Sequence, residues 1–282
     1  MNIGIRLHDT APGTLEERLG FAKAQGFTCA HLALSKTVQG FSMNDAPSRL
    51  TDAMAGEVHD IFVRQGMQCA VLGCYLGLAQ KDPTERARIG EIYKAHLRVA
   101  PKMGALVVGT ETHATDESVY SEPVWESEEA FEDFMTALTP VVRAAEEYGA
   151  ILAVEPVHCH IISTPLRAQR MLERLPSDHL RIILDTVNLI SPETVRAGKA
   201  DALIDEAIAR LGDKIMVLHM KDYIVEEGKP RVTSLACGMG EMHYEALLRF
   251  GLSHDLPMTL EDTKPDNAEN ARKYLAEIAN RL

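Results

Sequence analysis

Residues Asn2–Gly13 read NIGIRLHDTAPG, an apolar β-rich run that ends in a histidine and an aspartate and then turns at Pro12 and Gly13. A strand that opens an α/β chain leads either into an open doubly wound sheet or into a closed (β/α)8 barrel. The open sheet commonly carries a Gly-rich phosphate-binding turn at this point. Here the turn holds His8, Asp9, Thr10, Ala11, Pro12 and Gly13 instead. The barrel is the better reading.

The pattern outward from this stretch agrees. TLEERLGFAKAQG places Thr14 and Glu17 at capping-box spacing, keeps Leu15, Leu19 and Ala22 on one helical face and stops at Gly26. Seven further apolar runs follow: Thr28–Leu34, Met67–Cys74, Ala105–Thr112, Ile151–Pro156, Leu180–Thr186, Lys214–Asp222 and Pro257–Asp262. Between them lie amphipathic stretches closed by Gly66, Gly104 and Gly212, a long one from Ser127 to Gly149 with Pro140 as a kink or break, and a last helix from Asn267 to the C-terminus. No Pro/Ser-rich linker or shift of composition interrupts the alternation. Residues 1–282 are therefore expected to form one (β/α)8 TIM-barrel domain.

With 46% hydrophobic and 25% charged residues, the chain has enough apolar surface to bury a large core. Its net charge of −12, without a long run of Lys and Arg, argues against nucleic acid as a partner. The start, MNIGIRLHDT, lacks the apolar segment of a signal peptide, and no window approaches the length of a membrane span, so a cytoplasmic protein without a membrane partner is expected. The five cysteines form an odd count without a CxxC pair, which points to reduced, mostly buried thiols.

A barrel carries its chemistry at the C-terminal ends of its strands. The polar residues there are His8, Glu111 or His113, Glu155, Asp185, His219 and Glu261. Four of them end uninterrupted apolar runs: ILAV before Glu155, RIIL before Asp185, IMVL before His219 and MTL before Glu261. Such runs belong to strands buried on both faces, where a carboxylate is costly unless paired or bound to a metal, and adjacent carboxylates also repel. One divalent cation removes both costs. Three carboxylates and one imidazole suit Mn²⁺ first, with Mg²⁺, Co²⁺ or Zn²⁺ as alternatives.

The segments VEP, LDTVN, LHMKD and LED resemble the xylose-isomerase-like superfamily of metal-dependent barrels, which includes sugar isomerases and epimerases, inosose-type dehydratases, C-glycoside deglycosidase subunits and endonuclease IV. The likeness implies that Glu155, Asp185, His219 and Glu261 hold the ion, and that Glu155 and Glu261 exchange protons with a bound sugar. It implies an isomerase or epimerase of a sugar or keto-polyol working through a metal-stabilised enediolate. A lyase on the same scaffold, a dehydratase or deglycosidase acting on a 3-keto sugar with His158 as acid–base group, is the alternative. A non-catalytic accessory subunit is a third reading, less favoured because all four ligands are present, and a homo-oligomer is a family-level expectation. Endonuclease IV carries a histidine three residues after the strand-six aspartate, where this chain has Asn188. DNA cleavage is therefore disfavoured.

Further residues are placed around the sugar. His8, Glu111, Asn188 and Lys221 are candidate substrate-binding groups, and Lys221 shares a strand face with His219, where it either steadies a developing oxyanion or pairs with a carboxylate. The glycines of GMGEMHYEALL, Gly238 and Gly240, either bring backbone close to the pocket or form a turn. Trp125 lies in a loop after the fourth strand that lids the pocket or mediates dimer contacts.

Overall fold

The computed structural model describes residues 1–113 and 120–282. Eight parallel strands close a barrel: β1 (Ile3–Arg6), β2 (Cys29–Leu32), β3 (Gln68–Gly73), β4 (Ala105–Thr110), β5 (Leu152–Val154), β6 (Leu180–Asp185), β7 (Ile215–Met220) and a final strand, β10 (Met258–Leu260). They are hydrogen-bonded in the order β1, β10, β7, β6, β5, β4, β3, β2. Each lies inside one of the eight apolar runs and is shorter than it, because the ends of the runs leave the ladder for the loops. Two short strands, β8 (Asp222–Ile224) and β9 (Thr233–Leu235), form an antiparallel hairpin beyond β7. At three residues each they leave too weak an alternation to be read from sequence.

The helical punctuation works largely as the residues suggest. Thr14 and Glu17 form the reciprocal capping box, Ser127 caps the helix Glu128–Tyr148, and Gly66, Gly104 and Gly149 end their helices with positive φ. Gly212 differs. Its φ of −49° is right-handed and it opens a 3-10 turn, Gly212–Lys214, that leads straight into β7. Pro140 does not break its helix. It is exposed, so the Thr136 carbonyl that loses its amide partner faces the solvent side of the helix. The last helix is Ala268–Ala279. Among the described residues no helix is long and apolar enough to cross a membrane. Cys29, Cys69, Cys74 and Cys237 are buried and Cys159 is half-buried.

The core has two parts. A large cluster joins the outer faces of the strands to the helices, and a small one made of Cys29, Ala70, Val71, Val107, Ala153, Ile183 and Val217 fills the barrel interior. The stretch Gly238–Met242 is a turn wrapped on the buried Asp222, whose carboxylate accepts from the backbone amides of Tyr223, Gly238 and Met242. Gly240 is required there by close approach, since a Cβ would lie 2.2 Å from the Tyr223 carbonyl oxygen. Ladder irregularities fall at Ala30/His31 and at Ile182/Ile183, just before two side chains of the polar layer.

Candidate active site

Side chains two apart on a strand share a face, so the interior residues Ala153, Ile183, Val217 and Thr259 place Glu155, Asp185 and His219, and then Glu261, one step further up the barrel. Asp185 and His219 are register partners on β6 and β7. Glu155 and Glu261 lie one residue past β5 and β10, yet their amides still donate to Thr110 and Met220, which fixes their direction as if the ladder continued. All four are nearly inaccessible, at 1% (Glu155), 0% (Asp185), 2% (His219) and 4% (Glu261) exposure.

They converge on one imidazole. His219 Nδ1 lies 3.1 Å from Glu155 Oε2, 3.4 Å from Glu261 Oε1 and 4.0 Å from Asp185 Oδ2. Atoms that share an ion at ordinary metal–ligand distances stand about 3–4 Å apart, and two triads with one ligand atom per residue within 4.8 Å of the others meet at His219: Glu155 with Asp185, and His31 with Glu261. Both ring nitrogens of His219 are buried without a hydrogen bond of acceptable geometry. Buried polar atoms are rarely left so. The donor set therefore fits a divalent ion.

Lys221 also reaches this cluster, with Nζ 2.9 Å from Asp185 Oδ2 and 3.0 Å from Glu261 Oε2. Of the two roles open to it from sequence, the structure shows the pairing with carboxylates. Burial pulls the Lys221 ammonium down, but Asp185, Glu261 and Glu155 overcome it and hold the group charged. Burial pushes Asp185 up to about 6 and Glu155 up to about 7. Burial acts on Glu261 in the same direction, yet His219, Lys221, the His31 hydrogen bond and Arg6 outweigh it and keep this carboxyl well below its usual range. Two carboxylates on one cavity thus hold their protons very differently.

Asn188 sits behind the cluster. Its side-chain amide donates to Glu155 Oε1 at 2.6 Å and its backbone amide to Asp185 Oδ1 at 3.1 Å. Its carbonyl accepts from His158, from the backbone at 2.8 Å and from ring Nδ1 at 3.2 Å. Glu155 and Glu261 line a cavity of about 330 Å³, together with His8, Glu111, Arg6, His31 and Tyr75. His158 lines another cavity, of about 680 Å³, with Trp125, Glu193 and Arg231. The geometry thus separates His158 from the cavity of the two glutamates and engages Asn188 with Glu155.

Two residues escaped the sequence reading. Arg6 contacts Asp9, Glu261 and Asp262, with Nη1 3.2 Å from Glu261 Oε2. His31, at 2% exposure, lies with Nδ1 3.1 Å from Glu261 Oε1 and stacks on the His219 ring at 15°. Both stand on register partners of β1 and β2. The available signal was the same one that marked the other four, a charged or imidazole side chain inside an apolar strand.

The sequence matches the model of the xylose isomerase-like TIM barrel over residues 19–278. The chain belongs to that family. As a xylose isomerase-like barrel it superimposes on many solved structures. A 3-keto-D-glucoside 4-epimerase from E. coli is 13% identical, with TM-score 0.72 and coverage of 98% of this chain and 99% of that one. A probable 3-DHS dehydratase from Bacillus anthracis is 12% identical, with TM-score 0.74 and full coverage of both chains, 100% and 100%. An IOLI protein with a bound zinc atom is 16% identical, with TM-score 0.71 and coverage of 100% and 96%. At such identities the likeness speaks to the fold. No curated protein matches the sequence.

Proposed function

We propose that this xylose isomerase-like barrel is a cytoplasmic, divalent-metal-dependent isomerase or epimerase of a sugar or keto-polyol. The observation that carries the reading is the double position of Glu155 and Glu261. Both line one 330 Å³ cavity, and both stand within 3.4 Å of His219. Glu155, Asp185, His219 and Glu261 would hold the ion, with Mn²⁺ as the first choice for an oxygen-rich set. When bound, the ion supplies Lewis-acid polarisation of a carbonyl and its neighbouring hydroxyl.

The remaining work belongs to the side chains. A carboxylate beside the ion is suited to taking a proton from carbon and returning it. Glu155 and Glu261 both face the cavity, so the two are assigned the proton transfers on opposite sides of the sugar. Asn188 fixes the Glu155 carboxylate, while His31, Arg6 and Lys221 fix Glu261. His8 and Glu111, on the cavity wall, are assigned to sugar hydroxyls. A dehydratase-like relative keeps elimination as the second chemistry of this scaffold, but the seat of His158 in the other cavity favours isomerisation.

The test is exchange with solvent. Ketoses incubated with the Mn²⁺-loaded protein in D₂O should gain deuterium at carbon without losing water or an aglycone, and Glu155→Gln should reduce the rate by about 10²-fold or more. Loss of water or aglycone would establish the lyase instead. Absence of exchange with every sugar tried would overturn the enzymatic reading.

A further inference from the structure

A second group of ligand-type side chains lies outside the four-residue cluster. Glu111 and His113 follow β4, and His160 lies on the loop after β5. Thr112, fully buried between the first two, ties the segments together: its carbonyl accepts from Ile161 N at 3.3 Å and its Oγ1 from Ile162 N at 3.0 Å. Those two bonds hold the residues on either side of Thr112 against His160. The His113 and His160 rings are 5.5 Å apart, His160 Nδ1 is 3.7 Å from Glu111 Oε2, and one ligand atom from each residue lies within 4.8 Å of the others.

His160 supplies the independent indication. Only 7% exposed, it turns Nδ1 toward Glu111 from a buried position without a hydrogen-bond partner. Ligand atoms sharing a zinc ion at about 2.1 Å are about 3.4 Å apart at tetrahedral angles, so the 3.7 Å separation needs little adjustment. Two imidazoles and one carboxylate are a zinc-type donor set, softer than the oxygen-rich cluster below. We propose that Glu111, His113 and His160 form a second metal site, specific for Zn²⁺-like ions, that clamps the loops after β4 and β5 at the cavity wall. Three protein ligands leave one coordination position open, and Glu111 borders the 330 Å³ cavity. This site does not depend on the proposed isomerase chemistry.

Metal analysis of the full chain, loaded with Zn²⁺ and desalted, tests it. Wild type should retain about two zinc ions, and His113→Gln and His160→Gln about one each. The Asp185→Asn variant should also retain about one, and a Co²⁺-substituted sample of it should keep a visible absorption band that is lost on adding His113→Gln. His113 is half-buried, so this variant remains informative where the buried His160→Gln fails to fold. One zinc in wild type that disappears with Asp185→Asn, or two zincs in folded His113→Gln, would overturn the second site. Retention of both ions in Asp185→Asn would count against the four-residue site and leave this one standing.

Discussion

Two residues along β2, β5, β6 and β7 separate opposite materials in the barrel interior. Cys29, Ala153, Ile183 and Val217 form a dry apolar layer, and the next inward residues are His31, Glu155, Asp185 and His219. The first layer gains by leaving water, whereas the second puts carboxylates where ionisation is opposed. Burial drives the protonation of Asp185 and Glu155 in one direction while Lys221 and Arg6 draw Glu261 in the other. The same strands thus carry a layer that holds the barrel together and one whose stability depends on what neutralises it.

The sharpest contrast comes from changing one residue in each layer. Ile183→Ala removes apolar volume below the site and should cost about 2–5 kcal/mol. The cost should be alike with and without Mn²⁺ and should vary little with pH, as measured by urea unfolding. An effect confined to the ion-free protein would show that the two layers are not separate.

Asp185→Asn should act with the opposite sign. The carboxyl is pushed up to about 6 from 3.8 by burial, so in the ion-free protein the unfolded state loses its proton first. Stability contributed by the protonated form is complete below about pH 4 and is lost as pH rises toward 6. Removing the charge should therefore stabilise the ion-free protein by about 1–3 kcal/mol at pH 7.5 and by almost nothing at pH 4. With Mn²⁺ present wild type should be the more stable, because only it gains binding energy. Melting curves at two pH values in EDTA and in Mn²⁺ give all four comparisons. A destabilised variant in EDTA at pH 7.5 would mean that the ion pair with Lys221 outweighs burial.

How much of this was legible depended on whether a residue's meaning is local. Parallel strands buried on both faces read as apolar runs, and a carboxylate or histidine that ends such a run stands out alone. That sufficed for the eight strands, and it brought forward Glu155, Asp185, His219 and Glu261. Arg6 and His31 carry the same local mark, yet their relevance comes from closure of the barrel, which seats β1 between β2 and β10 and brings Glu261 across 230 residues of chain to His31. The surroundings of Asn188 and His158 were not legible for the related reason that spacing along the chain gives a distance but not a direction. His158 lies three residues beyond Glu155, its backbone and ring contact the Asn188 carbonyl, and it lines the other cavity. The Gly212 backbone followed the demands of the short link to β7 and not the usual left-handed helix ending.

His31 gives the smallest of the expected effects and the finest test of the layered interior. It stands where the apolar layer passes into the polar one, stacked on His219 and hydrogen-bonded to Glu261. Gly73 on β3 leaves the space for it, since a Cβ there would lie 2.8 Å from His31 Nε2. Groups that orient a metal ligand without being one usually contribute about 10–100-fold to metal affinity. His31→Leu keeps the apolar packing and removes the bond, so Mn²⁺ affinity by calorimetry should fall by about 10–100-fold, a loss of roughly 1.4–2.7 kcal/mol. Stability in EDTA should fall by less, because Arg6 and Lys221 still contact Glu261. An affinity loss far beyond that range would make His31 a ligand in its own right, and no loss at all would make it part of the packing below.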